Sequence, residues 1–251
     1  MENDFQDKVA IVTGAGSGIG AAIARELGRT GAEVVVSDLE EDSSQAVAED
    51  IRSAGGKAQV CTADVADAQA VEALVNFALR ECGGLHLAVN NAGIGGPSEK
   101  TGDYPLDGWR KVIDINLNGV FYGLRYQIPA MMQSGGGAIV NMASILGSVG
   151  FAKAPAYVAA KHALVGLTKT AAMEYATEGV RINAVGPAFI DTPLLSKNLD
   201  ADTLGQLAGL HPVQRLGTAD EVSALTCFLL SERASFITGS YHLVDGGYTA
   251  Q

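Results

Sequence analysis

The chain has 251 residues, 47% of them apolar, which suits one sizeable α/β domain better than two small ones. Its 28 acidic residues outnumber 17 basic ones, and a formal net charge of −11 sets aside nucleic acid and anionic membranes as main partners. The polar start "MENDFQDKVA" lacks a signal-peptide pattern, no apolar run reaches about 18 residues, and Cys61, Cys82 and Cys227 read as reduced thiols, so a cytoplasmic protein is expected.

Short β-branched runs alternate with helical patterns along the chain. Residues 8–14 predict a buried strand, 19–27 a helix, 32–38 a strand, and 43–55 a helix closed by Gly55. Residues 57–64 read as a strand and 67–82 as a helix with apolar positions 71, 74, 75, 78 and 79. Cys82 and His86 stand four apart, but no third ligand is close in sequence, so no metal is expected. A strand at 85–93 precedes one long helix at 105–132, and a strand at 137–144 precedes a helix opening at Pro155. Residues 180–187 form the sixth strand. Thr218 and Glu221 have capping-box spacing at the start of a helix over 218–231, and 241–247 is the last strand. Seven strands with intervening helices predict a doubly wound parallel sheet in a single domain over 1–251.

The first strand runs into "TGAGSGIG", residues 13–20, and then a helix. Gly14, Gly18 and Gly20 permit a sharp turn and a close backbone approach, and Ser17 and Ile19 lie in the same loop. The helix N-terminus offers N–H groups and a positive dipole end to a pyrophosphate. No Gly-Lys-Ser/Thr follows, which excludes a P-loop. Asp38 ends the second strand, 24 residues after Gly14. It is either a strand-end turn residue or an acceptor for both ribose hydroxyls of adenosine, repelling a 2′-phosphate.

"YVAAK" places Tyr157 and Lys161 four apart on one helix face. A free tyrosine, with a pKa of about 10, is a poor base at neutral pH, and a neighbouring ammonium favours the phenolate. Lowering that value by two to three takes about 3 to 4 kcal/mol, within reach of a lysine in a partly dry cleft. Ser144 lies 13 residues earlier, past the end of a strand, where open α/β sheets bind ligands.

"TGAGSGIG", "NNAG" at 90–93, Asn116 in "DINLNG", Ser144, "YVAAK" and "VDGG" at 244–247 follow one another in the order and spacing of a known family. Over essentially its whole length the chain resembles the short-chain dehydrogenase/reductases. That resemblance implies a Rossmann-like fold and hydride transfer between a nicotinamide cofactor and an alcohol or ketone. It implies Tyr157 as general acid/base, Ser144 as partner of the substrate oxygen, and Lys161 as the group that lowers the tyrosine pKa and holds the nicotinamide ribose. It gives Asn116 a water in a proton relay. Asp64 and Val65 are implied at the adenine, Asn90, Ala92 and Gly93 along the adenosine and ribose, and Pro187, Ile190 and Thr192 at the nicotinamide amide. Two positions depart from the common family pattern: Ala188 replaces a glycine after Pro187, and Ala143 replaces a serine before Ser144. With Asp38 and the acids after it, the expected cofactor is NAD.

Residues 186–217 have no firm assignment, and 188–215 are expected to form a lid over the substrate. Leu194, Leu195, Leu199, Leu204, Leu207 and Leu210 give it an apolar side, Leu146, Phe151 and Phe189 are placed near the cleft, and Lys197 is its only cation before Arg215. An uncharged, fairly apolar secondary alcohol or ketone is the expected substrate. A sugar or polyol dehydrogenase and an NADPH-dependent 3-oxoacyl reductase are the alternatives. The helix at 157–175 is apolar or small nearly all round and the helix at 105–132 ends in "IPAMM", so these two are expected to meet their copies about a two-fold axis, and the resemblance extends that to a homotetramer.

Overall fold

The computed structural model describes residues 4–196 and 200–250. Lys197 and Leu199, and the side chain of Leu194, lie outside the described residues. Seven parallel strands form one sheet: β1 (Val9–Thr13), β2 (Glu33–Ser37), β3 (Lys57–Val60), β4 (Leu87–Asn90), β5 (Gly137–Met142), β6 (Val180–Pro187) and β7 (Tyr241–Val244). Their spatial order is β3-β2-β1-β4-β5-β6-β7. The chain leaves β1 toward β2 and β3, then returns to lay β4 on the other flank of β1. The crevice at the carboxyl ends of β1 and β4 is the switch point where open α/β sheets bind ligands.

Residues alternate across the strands, so each of the five inner strands feeds two cores. Ala10, Val12, Val34 and Val36 face α1 (Gly18–Arg29), α2 (Glu41–Ser53) and α9 (Ala219–Leu230). Val9, Ile11, Val35 and Ile139 face α3 (Ala68–Glu81), α5 (Gly119–Gln133) and α6 (Pro155–Tyr175). The capping box expected at Thr218 and Glu221 is formed at the start of α9. Gly55 ends α2 at φ +87°, a conformation that strains any side-chain-bearing residue.

The long helix expected at 105–132 is interrupted. α4 (Leu106–Ile113) passes through one π-helical turn, Asp114–Asn118, before α5 resumes. One extra residue per turn there rotates the side chains that follow, and it falls on Asn116. The segment after β6 contains α7 (Pro193–Ser196) and α8 (Ala201–Gly209), the latter capped by Asp200 accepting the Thr203 N–H. His86 is occupied structurally: its Nδ1 accepts the Val9 N–H at 3.1 Å and anchors the start of β1.

A polar chain crosses the second core. Asn90 donates to Gln127 and Asn141, Gln127 donates back to Asn90, and Asn141 donates to Thr168, at 2.8 to 3.1 Å. All four are buried, and the amides satisfy one another.

Candidate active site

The loop after β1 is built for close approach. Gly14 has φ +62°, and a Cβ there would stand 2.8 Å from Ala92 Cα. A Cβ on Gly20 would stand 2.2 Å from the Gly14 carbonyl oxygen, so α1 packs backbone to backbone against the loop. Ser17 caps α1 by backbone conformation alone, its exposed hydroxyl making no cap bond, and no acid stands in the first turn. The dipole end therefore remains open to an anion. Ile19 is partly buried behind it, and Thr192 crosses from the far side, its Cγ2 3.3 Å from where a Gly18 Cβ would be. These residues fit a dinucleotide pyrophosphate.

Asp38 does more than end its strand. Its Oδ2 accepts the Gly16 N–H at 2.9 Å and its Oδ1 the Leu39 N–H at 2.8 Å. The carboxylate thus ties the phosphate loop to β2, and each oxygen retains acceptor capacity. The first turn of α2 adds Glu41 and Asp42 nearby. Asp64 is exposed and turns back to accept the Ala66 N–H at 2.9 Å, while the Val65 carbonyl lies 2.9 Å from where a Gly119 Cβ would be.

At the end of β4 the four residues of "NNAG" divide their work. The Asn90 side chain turns into the core chain described above, leaving only its backbone for the crevice. Asn91, absent from the expected site, donates from Nδ2 to the carbonyls of Thr13 and Gly14 at 2.9 and 3.0 Å. The Thr13 hydroxyl accepts the N–H groups of Asn91 and Ala92 at 3.1 and 3.3 Å. Together they fasten the ends of β1 and β4 at the switch point. A Gly93 Cβ would stand 3.2 Å from Asn116 Oδ1. The fully buried Asn116 amide holds Ile94 by both backbone groups.

Ser144, Tyr157 and Lys161 meet at the carboxyl end of β5. Ser144 has extended backbone and opens a short turn, its Oγ accepting the Leu146 N–H at 3.2 Å and lying 3.5 Å from the Pro187 carbonyl. Its hydroxyl also stands near enough to the Tyr157 phenol to favour the phenolate. Lys161 is buried beneath the tyrosine, Nζ 5.4 Å from the ring centroid, and donates to the Met142 carbonyl at 2.6 Å. With no counter-charge beside it, burial pushes this lysine down to about 8. Burial also raises Tyr157 above the ordinary tyrosine value, Ser144 pulling it back. The expected lowering by Lys161 is not a leading effect in the chain alone, because desolvation disfavours the charged form of both groups.

Beyond Pro187, Ile190 is buried, and the Thr192 hydroxyl donates to the Ile190 carbonyl at 3.3 Å. Phe151 meets Phe189 edge-on at 5.9 Å, and Phe189 meets His211 and Tyr248 at 5.9 and 6.0 Å. Leu146 is a buried packing residue at 7% exposure. Arg215 is committed to Glu221 by two bonds, at 2.9 and 2.6 Å, which with the Thr218 N–H hold the Glu221 carboxyl down at about 2. Leu195, Leu204 and Leu207 are partly buried, and Leu210 is exposed.

The family model for "Enoyl-(Acyl carrier protein) reductase" matches residues 14–249. Cyclohexanol dehydrogenase of Acinetobacter sp. (strain SE19) is 49% identical over all of this chain and 98% of the relative. Cis-4-hydroxycyclohexanecarboxylate dehydrogenase of Sinomonas cyclohexanicum is 44% identical over the full length of both. Among solved structures, a levodione reductase superposes with a TM-score of 0.95 at 35% identity, covering 98% of this chain and 99% of that one.

Proposed function

The chain belongs to the short-chain dehydrogenase/reductase family and is an oxidoreductase of secondary alcohols and ketones, and from that premise we propose that it uses NAD to oxidise an alicyclic secondary alcohol to its ketone. The observation that carries this reading is the convergence of Ser144 and the Tyr157 phenol above a buried Lys161, whose Nζ lies 5.4 Å from the tyrosine ring centroid.

The nicotinamide, when bound, supplies the acceptor or donor of hydride. This chain's residues handle the proton and the orientation. Ser144 donates a hydrogen bond to the substrate oxygen. Tyr157 Oη takes the proton of the alcohol in oxidation and returns it to the ketone in reduction. Lys161 spends one N–H on Met142 and turns the other two toward the ribose. A bound cationic nicotinamide and a ribose-bound Lys161 ammonium would favour the phenolate, against the burial that raises it in the chain alone. Asn116 acts as a positioning residue of the proposed proton path, since its amide is taken up by Ile94. Gly14, Ser17, Gly18, Ile19 and Gly20 hold the pyrophosphate, Asp38 the adenosine ribose, Asp64 and Val65 the adenine. The backbone from Asn90 through Ala92 and Gly93 follows the ribose, and Pro187, Ile190 and Thr192 meet the carboxamide.

An apolar ring substrate is supported by the edge-on Phe151–Phe189 pair and by an Arg215 engaged with Glu221. The two relatives named above act, by their names, on cyclohexane alcohols. The chain is further read as a cytoplasmic homotetramer. Ala163 and Gly166 are exposed on α6, and Phe121 is 48% exposed on α5. Small residues on an exposed helix face allow a copy to approach closely. The test is nicotinamide absorbance with cyclohexanol, 2-propanol, a hexose and a polyol, each with NAD and NADP. The reading requires cyclohexanol with NAD to give the highest kcat/KM; a hexose or an NADP reaction in first place overturns it.

A further inference from the structure

The edge strand β7 carries a phenol that reaches the catalytic loop. Tyr241 Oη donates to the Ser144 carbonyl, with the Ser148 hydroxyl close by. Two glycines make room for it. A Cβ on Gly186 would stand 2.5 Å from Tyr241 Oη and Cε2, and one on Gly147 would stand 3.3 Å from the same oxygen. The ring therefore passes over β6 and ends under the turn that Ser144 opens. Ser144 is thereby pinned at its carbonyl by β7 and at its Oγ by the Leu146 N–H, which holds its hydroxyl beside Tyr157, with the Pro187 carbonyl at 3.5 Å as an acceptor on the other side.

We propose that Tyr241 is a positioning residue of the reaction, fixing Ser144 from the neighbouring strand so that the serine hydroxyl points at Tyr157. This rests on the roles given above to Ser144 and Tyr157. The polar groups facing Tyr157 are Ser144 from the loop after β5, Lys161 from its own helix and Tyr241 from β7, with Tyr104 in the same apolar cluster; Ser148 and Asp245 face Tyr241. Burial holds Tyr241 above the ordinary tyrosine value, so it stays a donor through the working pH range.

Tyr241→Phe removes one hydroxyl and keeps the ring. With cyclohexanol, kcat is expected to fall about 5- to 20-fold while KM for NAD stays within about two-fold, the split of an interaction made in the reaction and not in cofactor binding. The Ser144 hydroxyl lowers Tyr157, so loosening it moves the acid limb of the kcat–pH profile to higher pH. Gly186→Ala, which displaces the same ring, is expected to move the profile the same way. The double variant Ser144→Ala/Tyr241→Phe should be no slower than Ser144→Ala alone, because Tyr241 acts through Ser144. A slow Ser144→Ala beside a Tyr241→Phe with native kcat and an unmoved profile overturns the inference alone, as does a double variant slowed by the product of both effects. A Ser144→Ala with native turnover overturns the reading of the active site itself.

Discussion

Asn116 grips Ile94 at both backbone groups, accepting its N–H at Oδ1 and donating from Nδ2 to its carbonyl, each at 2.8 Å. The π-helical turn places this amide opposite the loop after β4, beside Gly93. Asn116→Ala strands both groups of Ile94 in a partly buried loop. A loss of about 2 to 6 kcal/mol is expected, from two unsatisfied groups at about 1 to 3 kcal/mol each. Asn116→Asp keeps the acceptor and loses the donor, so its loss should lie between wild type and the alanine variant. Denaturant titration of both variants checks the order.

On the function proposed above, Asp38 governs the choice of cofactor. Its carboxylate is fixed by Gly16 and Leu39, so it presents a placed negative charge where a 2′-phosphate would sit. Wild type should favour NAD over NADP by at least about 100-fold in kcat/KM, since like charges brought together cost several kcal/mol. Asp38→Ala should narrow the gap from both sides, losing a ribose acceptor and a repulsion together. A wild-type enzyme indifferent to the 2′-phosphate would falsify the assignment.

Lys161 destabilises the chain it serves. Holding it at about 8 against 10.5 costs the folded state about 3 kcal/mol at neutral pH, by the proton it would rather shed. The sign follows from linkage. Between about 8 and 10.5 the unfolded lysine keeps a proton the folded one has lost, so stability rises with pH through that window and the cost is fully present below it. Lys161→Met, which removes the charge and retains the volume, should melt higher than wild type at pH 7 without cofactor. The net gain is about 1 to 2 kcal/mol once the lost bond to Met142 is counted. Its NAD affinity should fall sharply. Melting curves at pH 7 and 9.5 are the measurement, and a variant less stable than wild type at pH 7 contradicts the account.

Phe189 stands between Phe151 and the His211–Tyr248 pair. Phe189→Ala removes one wall of the ring-substrate site and the support of the other. The kcat/KM for cyclohexanol should drop about 10- to 100-fold, in line with 1.4 kcal/mol per decade and the apolar area lost. The value for 2-propanol should change far less. Equal losses for both alcohols would show that Phe189 supports the loop and does not sort substrates.

Ala163→Arg tests assembly. The position is exposed on α6, one turn from Gly166, whose hypothetical Cβ meets nothing within 4 Å of its own chain. A guanidinium there leaves the single chain undisturbed and blocks close approach of a copy. Light scattering should show the wild-type tetramer and a lower mass for the variant; a wild-type monomer at micromolar concentration refutes the assembly.

The sheet was legible because each buried strand is a run of Val, Ile and Ala between turn residues, and because the glycines of "TGAGSGIG" sit between a strand and a helix. Ser144, Tyr157 and Lys161 were legible as chemistry out of place in apolar surroundings. Three features were not. The π-helical turn at Asp114–Asn118 leaves no compositional mark, since its residues suit an α-helix equally well. Asn90 and Asn91 are neighbours in one motif, yet strand alternation sends one into the core and keeps the other at the switch point. Tyr241 lies 97 residues from Ser144 and reads as an ordinary strand aromatic until β6 and β7 are paired. Gly186 was the available signal, a strand glycine marking close approach of a neighbour.

The buried chain Asn90–Gln127–Asn141–Thr168 joins β4, α5, β5 and α6 through side chains that have no other partners named among them. Releasing any one of these elements leaves a buried amide or hydroxyl of a neighbouring element without its partner. The stretch from β4 to α6 should therefore open as one cooperative unit, and the central amides of β4 and β5 should exchange with deuterium at a common opening free energy. Asn116, Ser144, Tyr157 and Lys161 all lie within or beside that unit. The groups proposed to handle the proton are thus mounted on a part of the fold that should open only as a whole.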